Sequence, residues 1–332
     1  MPPKIREMTA KHSPPQGAQS TLRRFTLMLS GEDAYDAEEG QALGNRPVKG
    51  LPHERFLLGD RAPLAPVLLL GQSTQTVSPC EIIACLQPVH LHATRDHLIL
   101  MGQNQIDLTQ SESSALLKAA LPFIEEDFQN PILFEGQHYW FIPAGPFASL
   151  ASYSIDQAHG RNIDWWMPRD TNEEGIAKRW RKLQNEIQML WHIGPVNEER
   201  EQRGMPSVNS LWISGIGKLS DVQVPRALQE SRHLYGSHPL LAGLAKLLNI
   251  PYSNDFNLNQ AAGAFAWLEL AETIWPQLST ALLNKELDEV TIVDFPKGKV
   301  RERVFTSKDL YKKSWAFWKK AEPLTWKEIV SS

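Results

Sequence analysis

The sequence predicts an α/β protein, a central mixed sheet with flanking helices, and three observations carry that prediction. The first is an amphipathic helix after Glu173. Ile176, Trp180, Leu183, Ile187, Leu190 and Trp191 recur at helical spacing, because about 3.6 residues per turn stacks such positions into one stripe. The second is the β-branched run Glu289 to Asp294, a core strand, which Val300 to Phe305 can meet across the turn Pro296-Lys297-Gly298. The third is that strand patterns and long helical patterns are mixed along all 332 residues, an arrangement that packs helices on a sheet.

The central segment continues in order. Lys178, Arg181, Asn185, Gln188 and His192 lie opposite the apolar stripe. Gly194-Pro195 stops the helix, since Gly tolerates a left-handed cap and Pro cannot continue the ladder. Asn197 reads as the N-cap of a second, short helix with Glu198 and Glu199 in its first turn, ended by Gly204 and Pro206. Val208 to Gly215 reads as a strand running into Gly215-Ile216-Gly217-Lys218.

The rest of the chain is less sharply written. Residues 1–20 read as a flexible tail and 21–332 as one α/β domain, with an arrangement of two lobes meeting near 143–175 left open. Leu22 to Leu29 reads as a first strand. Val67 to Leu70 fits a short buried strand or a helical turn, which periodicity cannot separate. Glu81 to Leu91 and His97 to Met101 read as extended. Ser111 to Ser114 reads as the start of a helix, and Ile132 to Phe134 with His138 to Ile142 as a hairpin. Pro239 to Leu248 reads as a helix, and Asn259 to Leu283 as one long helix or two.

Composition limits the function classes. A net charge of -4 and a pI near 6.2 argue against a dedicated nucleic-acid binder. Cys80 and Cys85 are too few for a disulfide framework and wrongly spaced for CxxC chemistry, so they read as buried small hydrophobes. Residues 1–24 lack the apolar core of a signal peptide, and no run approaches the ~20 residues of a membrane span. The expectation is a cytoplasmic protein with no membrane partner.

The run Leu183 to Leu190, then Pro195-Val196-Asn197, Arg200, Gly204, Pro206, Asn209, Leu211-Trp212 and Gly215-x-Gly217, resembles the RpfE-type bacterial regulatory proteins. The PVNxxRxxxGxPxxN part is also similar to archaeal-type cofactor-independent phosphoglycerate mutases of the alkaline phosphatase superfamily. These resemblances imply a reduced alkaline-phosphatase-like fold. The mutase resemblance further implies a two-metal site of Asp and His with a Ser or Thr nucleophile. That ligand set is not recognisable here: the late strand ends Val293-Asp294-Phe295-Pro296. Gly194 stands where the mutase pattern has His, and Ser214 where it has Arg.

The expected function is therefore a regulatory or binding protein, without catalysis and with no cofactor identified. Its small phosphorylated or carboxylate ligand would sit at 185–217, held by Asn185, Gln188, His192, Asn197, Arg200 and Asn209. Arg supplies a two-pronged donor for an anion, and a helix start supplies free N–H groups. The alternative is a mutase-like phosphoryl-transfer enzyme using a divalent metal. Against the ligand reading stands a structural one, with Asn197 only a cap and Arg200 a surface charge. His90, His92 and His97 read as ordinary polar positions rather than a metal cluster, Gly215 to Lys218 as a strand-ending turn, and Arg161 with Asp164 as either cleft lining or a loop anchor beside Trp165-Trp166. The Trp- and Lys-rich tail from Lys308 is a candidate surface for a protein partner.

Overall fold

The structure, a computed structural model, describes residues 22–35, 47–74, 76–311 and 324–331. The N-terminal tail and most of the Trp/Lys segment, including Trp315 and Trp318, lie outside the described residues.

Two sheets organise the chain. The first has six strands. β1 (Arg24–Met28) lies between β11 (Ala264–Trp267) and β12 (Glu289–Asp294), parallel to both. β9 (His233–Tyr235) and β10 (Tyr252–Ser253) continue the parallel side, and β13 (Arg301–Phe305) closes the other edge antiparallel to β12. The second sheet is antiparallel and built on the long β2 (Ile83–Ala93). β2 pairs with β3 (Leu98–Met101), β5 (Trp140–Pro143) and β8 (Ser210–Gly217), and β5 pairs with β4 (Phe134–Glu135). A small ribbon joins β6 (Leu150–Ala151) to β7 (Arg169–Asp170). The fold is thus the expected mixed α/β arrangement with helices on the sheets.

Seven helices place the surfaces used below: α1 (Pro52–Leu58), α2 (Leu64–Gln72), α3 (Gln110–Phe128), α4 (Ile176–His192), α5 (Pro195–Gln202), α6 (Pro239–Leu248) and α7 (Ala271–Leu283). One face of the antiparallel sheet is covered by α3 and α4. Leu116, Ile124, Trp180, Leu183, Ile187 and Trp191 pack there on Leu86, Trp140 and Ile213. The other face shares a core with the six-stranded sheet. A single apolar cluster runs from Ile83, Cys85 and Phe141 through α2 and α6 to Met28, Phe265, Trp267 and Val293. Large aromatics fill these layers: Trp140, Trp166, Trp180, Trp191 and Trp212 are all fully buried.

Several elements depart from the sequence reading. Val67 to Leu70 belongs to helix α2; it lies in the core shared by the two sheets, so no polar face exists to betray a helical period. The long helix expected over 259–283 is a 3-10 turn, then β11, then α7. β11 reads Ala-Phe-Ala-Trp and is buried on both faces, so it shows neither alternation nor a run of β-branched residues. The short helix α5 is capped by Gly194 with Pro195 in its first turn, and Asn197 lies inside it. β8 continues to Gly217 instead of ending at the first glycine. Its register with β2 shifts between Ile83 and Cys85, a bulge at which Gly215 takes φ +65°. A Cβ on Gly215 would lie 2.6 Å from the Ala65 nitrogen, so the glycine also lets α2 approach the strand.

Candidate functional site

The six residues nominated from the sequence fall into two groups. Asn185, Gln188 and His192 are exposed on the outer face of α4. Asn197, Arg200 and Asn209 point into the protein or along a strand, and the chain itself uses their polar atoms. Asn197 donates to the carbonyls of Trp191 (2.9 Å) and Val208 (2.8 Å) and accepts from the Val208 N–H (2.7 Å). This ties the corner between α4 and α5 to the chain entering β8. Asn209 accepts from Leu91 N–H (2.7 Å) and donates to Leu91 O (3.0 Å), extending the β2–β8 ladder with a side chain.

Arg200 is fully buried. Its Nε donates to Pro206 O (2.8 Å), one terminal nitrogen to Ile106 O, and the other to Glu112 Oε2 (2.9 Å). Glu112 in turn accepts from Thr109 N–H (2.9 Å) at the N-cap of α3, and Arg203 reaches its other oxygen. Burial acts to raise the Glu112 carboxyl, but the Thr109 and Arg203 hydrogen bonds and the charge of Arg200 prevail and hold it down at about 2. The six residues therefore do not converge on one hollow. Buried Asn and Arg must satisfy their donors, and here backbone carbonyls and Glu112 do so.

A second place to look is the C-terminal end of the parallel strands, where open α/β sheets carry their ligands. Here the strand ends are plugged by aromatic packing. His238 stacks on Trp267 with ring centroids 4.1 Å apart, and His53 lies 5.0 Å away from the same ring. Trp267 donates to Ser30 Oγ (3.0 Å) at the end of β1. A Cβ on Gly31 would meet the Phe295 side chain at 2.5 Å, so Phe295 covers the β1 end closely. Burial holds both histidines down at about 4, with His53 further lowering His238, so both are neutral near pH 7.

A two-metal centre does not fit these strand ends. Both oxygens of Asp294 are held by Arg301 (2.9 and 2.7 Å), and Arg303 adds a bond of 2.7 Å. Nδ1 of His53 is 3.0 Å from Gly31 N, and Nδ1 of His238 caps α6 through Leu240 N–H (3.2 Å). Among the described residues no three His, Cys, Asp or Glu side chains stand close enough together to hold a metal. His90 and His92 do face one another, 5.9 Å between rings, but Nδ1 of His90 is engaged with Ser207 O at 2.7 Å.

Next to this plug lies a buried acid. Glu54 in α1 accepts from Leu51 N–H (2.6 Å), and burial lifts its carboxyl to about 7. Lys49, whose ammonium donates to Ile216 O (2.8 Å), is lowered to about 8, chiefly by burial. An acid that is harder to ionise in the fold than in the unfolded chain stabilises the fold fully below its unfolded value of 4.5. That contribution declines as pH rises and is gone above about 7. His53 and His238 act in the opposite sense, their contribution falling as pH drops from 6.5 to about 4. Glu54→Gln keeps an oxygen for Leu51 N–H but cannot ionise. The difference in unfolding free energy between Glu54→Gln and wild type should grow in favour of the variant from pH 4.5 to 7, then level off. A pH-independent difference in urea melts would show that Glu54 ionises freely.

A groove of about 850 Å³ lies on one face of the six-stranded sheet. That face has two halves. Toward the C-terminal ends, Met28, Val293, Phe265 and Trp267 are covered as part of the shared core. Toward the N-terminal ends, Arg24, Thr26, Glu289 and Thr291 are left uncovered and line the groove, and register pairs Arg24 with Glu289 and Thr26 with Thr291. Residues of the segment Pro225 to Arg232, with Gly263, also line the groove. Arg24 pairs with Glu289 (2.8 Å) and Arg226 with Glu230 (2.5 Å). Arg232 is exposed and has no carboxylate partner among the described residues. The sequence reading did not find these residues. Its signal, threonines on two strands, becomes meaningful only once β1 and β12 are known to be neighbours.

No protein-family model matches the chain, and no curated protein matches it. The chain shows a distant similarity to solved structures, two of which follow. One is the cofactor-independent phosphoglycerate mutase from Thermoplasma acidophilum DSM 1728, at 11% identity, covering 85% of this chain and 89% of that one, with a TM-score of 0.34. The other is the PH0037 protein from Pyrococcus horikoshii, at 13% identity, covering 82% of each chain, with a TM-score of 0.36. At these scores neither likeness carries an argument about chemistry, and the site is read from its own residues. Among the described residues no helix is long and apolar enough to cross a membrane.

Proposed function

We propose that this protein is a binding protein that takes a small phosphorylated or carboxylate ligand in the groove on its six-stranded sheet. The observation that carries the reading is Arg232, a guanidinium with no carboxylate partner among the described residues, which lines the same groove as the Thr26–Thr291 pair. Guanidinium binds oxyanions through two parallel hydrogen bonds, and threonine hydroxyls can donate to the same group. Glu302, also on the groove, would favour a ligand that carries hydroxyl or amino groups beside its anion. The resemblance of residues 183–217 to RpfE-type proteins supports a regulatory use of such binding. A phosphoglycerate-mutase-like reaction is the weaker reading, because the strand-end residues do not fit the metals it needs.

A thermal-shift series with 2- and 3-phosphoglycerate, lactate and inorganic phosphate tests this. We expect at least one phosphorylated acid to raise the melting temperature of the wild type, and Arg232→Gln to lose most of that rise. Arg232 is exposed, so the substitution should leave the unliganded melting temperature nearly unchanged. Equal shifts in both proteins, or none in either, would remove the groove from consideration.

A further inference from the structure

The loop after the short helical turn Ile155–Ala158 packs against the segment around Tyr35. We propose that Arg161 and Trp166 together bind a small oxyanion, the carboxylate or phosphate group of a ligand distinct from the one in the sheet groove. Four observations support this.

Trp166 is fully buried, yet its indole N–H has no hydrogen-bond partner among the described residues. That is unusual company for it. Trp140, Trp191 and Trp212, equally buried, donate to Ser113 Oγ, Leu116 O and Tyr153 O respectively. The guanidinium of Arg161 lies over the Trp166 ring, 5.1 Å from its centroid. One of its nitrogens donates to Asp33 O (3.3 Å), while Nη1 is buried without an acceptor among the described residues. Among the described residues no carboxylate forms an ion pair with Arg161; the Asp33 side chain accepts from Gln157 (3.1 Å) and from Tyr35 N–H (3.3 Å).

Arg161 and the ring that it covers thus bring a positive charge and, among the described residues, two donor groups lacking acceptors, and an oxyanion offers several acceptors and the opposite charge. Tyr35 and Tyr153 meet Trp166 edge-on, at 5.8 and 5.4 Å, and fix the indole in place. With Arg161 on the ring face, the site selects for a compact anion and not for a stacking aromatic ligand. Trp180 also lacks a partner for its N–H, but the nearby Arg179 is neutralised by Asp127 at 2.5 Å, so no cation is left over there.

The test is an indole N–H spectrum of protein carrying ¹⁵N-tryptophan, titrated with sodium phosphate and, separately, sodium acetate. One indole peak should move saturably with at least one anion, and Arg161→Gln should abolish that movement while shifting the same peak in the free protein, which assigns it. Trp166→Phe gives an independent assignment if it folds; Arg161→Gln, at a half-exposed position, suffices if it does not. Movement with phosphate alone marks a phosphate-bearing ligand, and movement with acetate marks a carboxylate. The same movement should persist in Arg232→Gln, which separates this site from the groove. If no indole peak moves up to tens of millimolar anion, or if the movement survives Arg161→Gln, the proposal is overturned.

Discussion

Arg200→Met should destabilise the fold by about 3–5 kcal/mol, the usual result of breaking a buried ion pair from one side. Arg200 is fully buried and engages Glu112, Ile106 O and Pro206 O at once. Methionine fills much of the volume but offers no donor. Two backbone carbonyls then lose their partner, and Glu112 keeps only Thr109 and Arg203. The effect should reach α3, because Glu112 belongs to its capping box. Urea unfolding of Arg200→Met, Glu112→Gln and the double variant would measure it. The two single losses should be strongly non-additive, since each removes the same contact. A loss below about 1 kcal/mol for Arg200→Met would mean that this guanidinium is not the brace described above.

Gly243→Ala should be nearly as damaging, by about 3 kcal/mol or more, at the upper end of overpacking effects. Helices α2 and α6 touch almost backbone to backbone. A methyl at Gly243 would overlap the Val67 carbonyl oxygen and lie 2.8 Å from its carbon. Neither of those atoms can swing away as a side-chain tip can. Across the same contact, a Cβ on Gly71 would sit 2.8 Å from the Gly243 nitrogen. The helices would have to separate, and both belong to the core cluster shared by the two sheets. Gly145→Ala is the control, because nothing lies within 4 Å of its added Cβ. Equal melting temperatures for the two variants would show that α2 and α6 have room to part.

The sequence made some elements plain and hid others for physical reasons. Helix α4 was legible because one face meets the sheet and the other meets water. Helix α6 runs Pro239–Leu248, as its leucine spacing predicts. The pairing of β12 with β13 across Pro296–Gly298 was legible because hairpins are local. β11 and α2 were hidden because both are buried on all sides and carry no contrast between faces. The site was harder still. Polar residues at 185–209 read alike whether they bind a ligand or the chain. What separates the two is partners far off in sequence: Glu112 and Ile106, 88 and 94 residues from Arg200, and Leu91, 118 residues from Asn209. Asn185, Gln188 and His192 sit on α4, next in the chain to the helix that carries Asn197 and Arg200, but they face outward, which the helical spacing shows only once the buried face is fixed. The groove was invisible for the related reason that its floor comes from strands 265 residues apart, as the Arg24–Glu289 bond records.

That last separation shapes how the molecule is made. β1 leaves the ribosome among the first described residues, yet its two neighbours, β11 and β12, emerge only after some two hundred more have been added. Until then Phe25, Leu27 and Met28 have no partner strand to zip onto. Joining ends so distant carries a large loop-closure entropy, and such non-local pairing folds slowly. The nascent chain can settle its antiparallel sheet, β2 through β8, well before the parallel one. The parallel sheet is completed only once β11 and β12 have been made, and during that wait the first strand keeps its apolar side chains unpaired and open to misassociation.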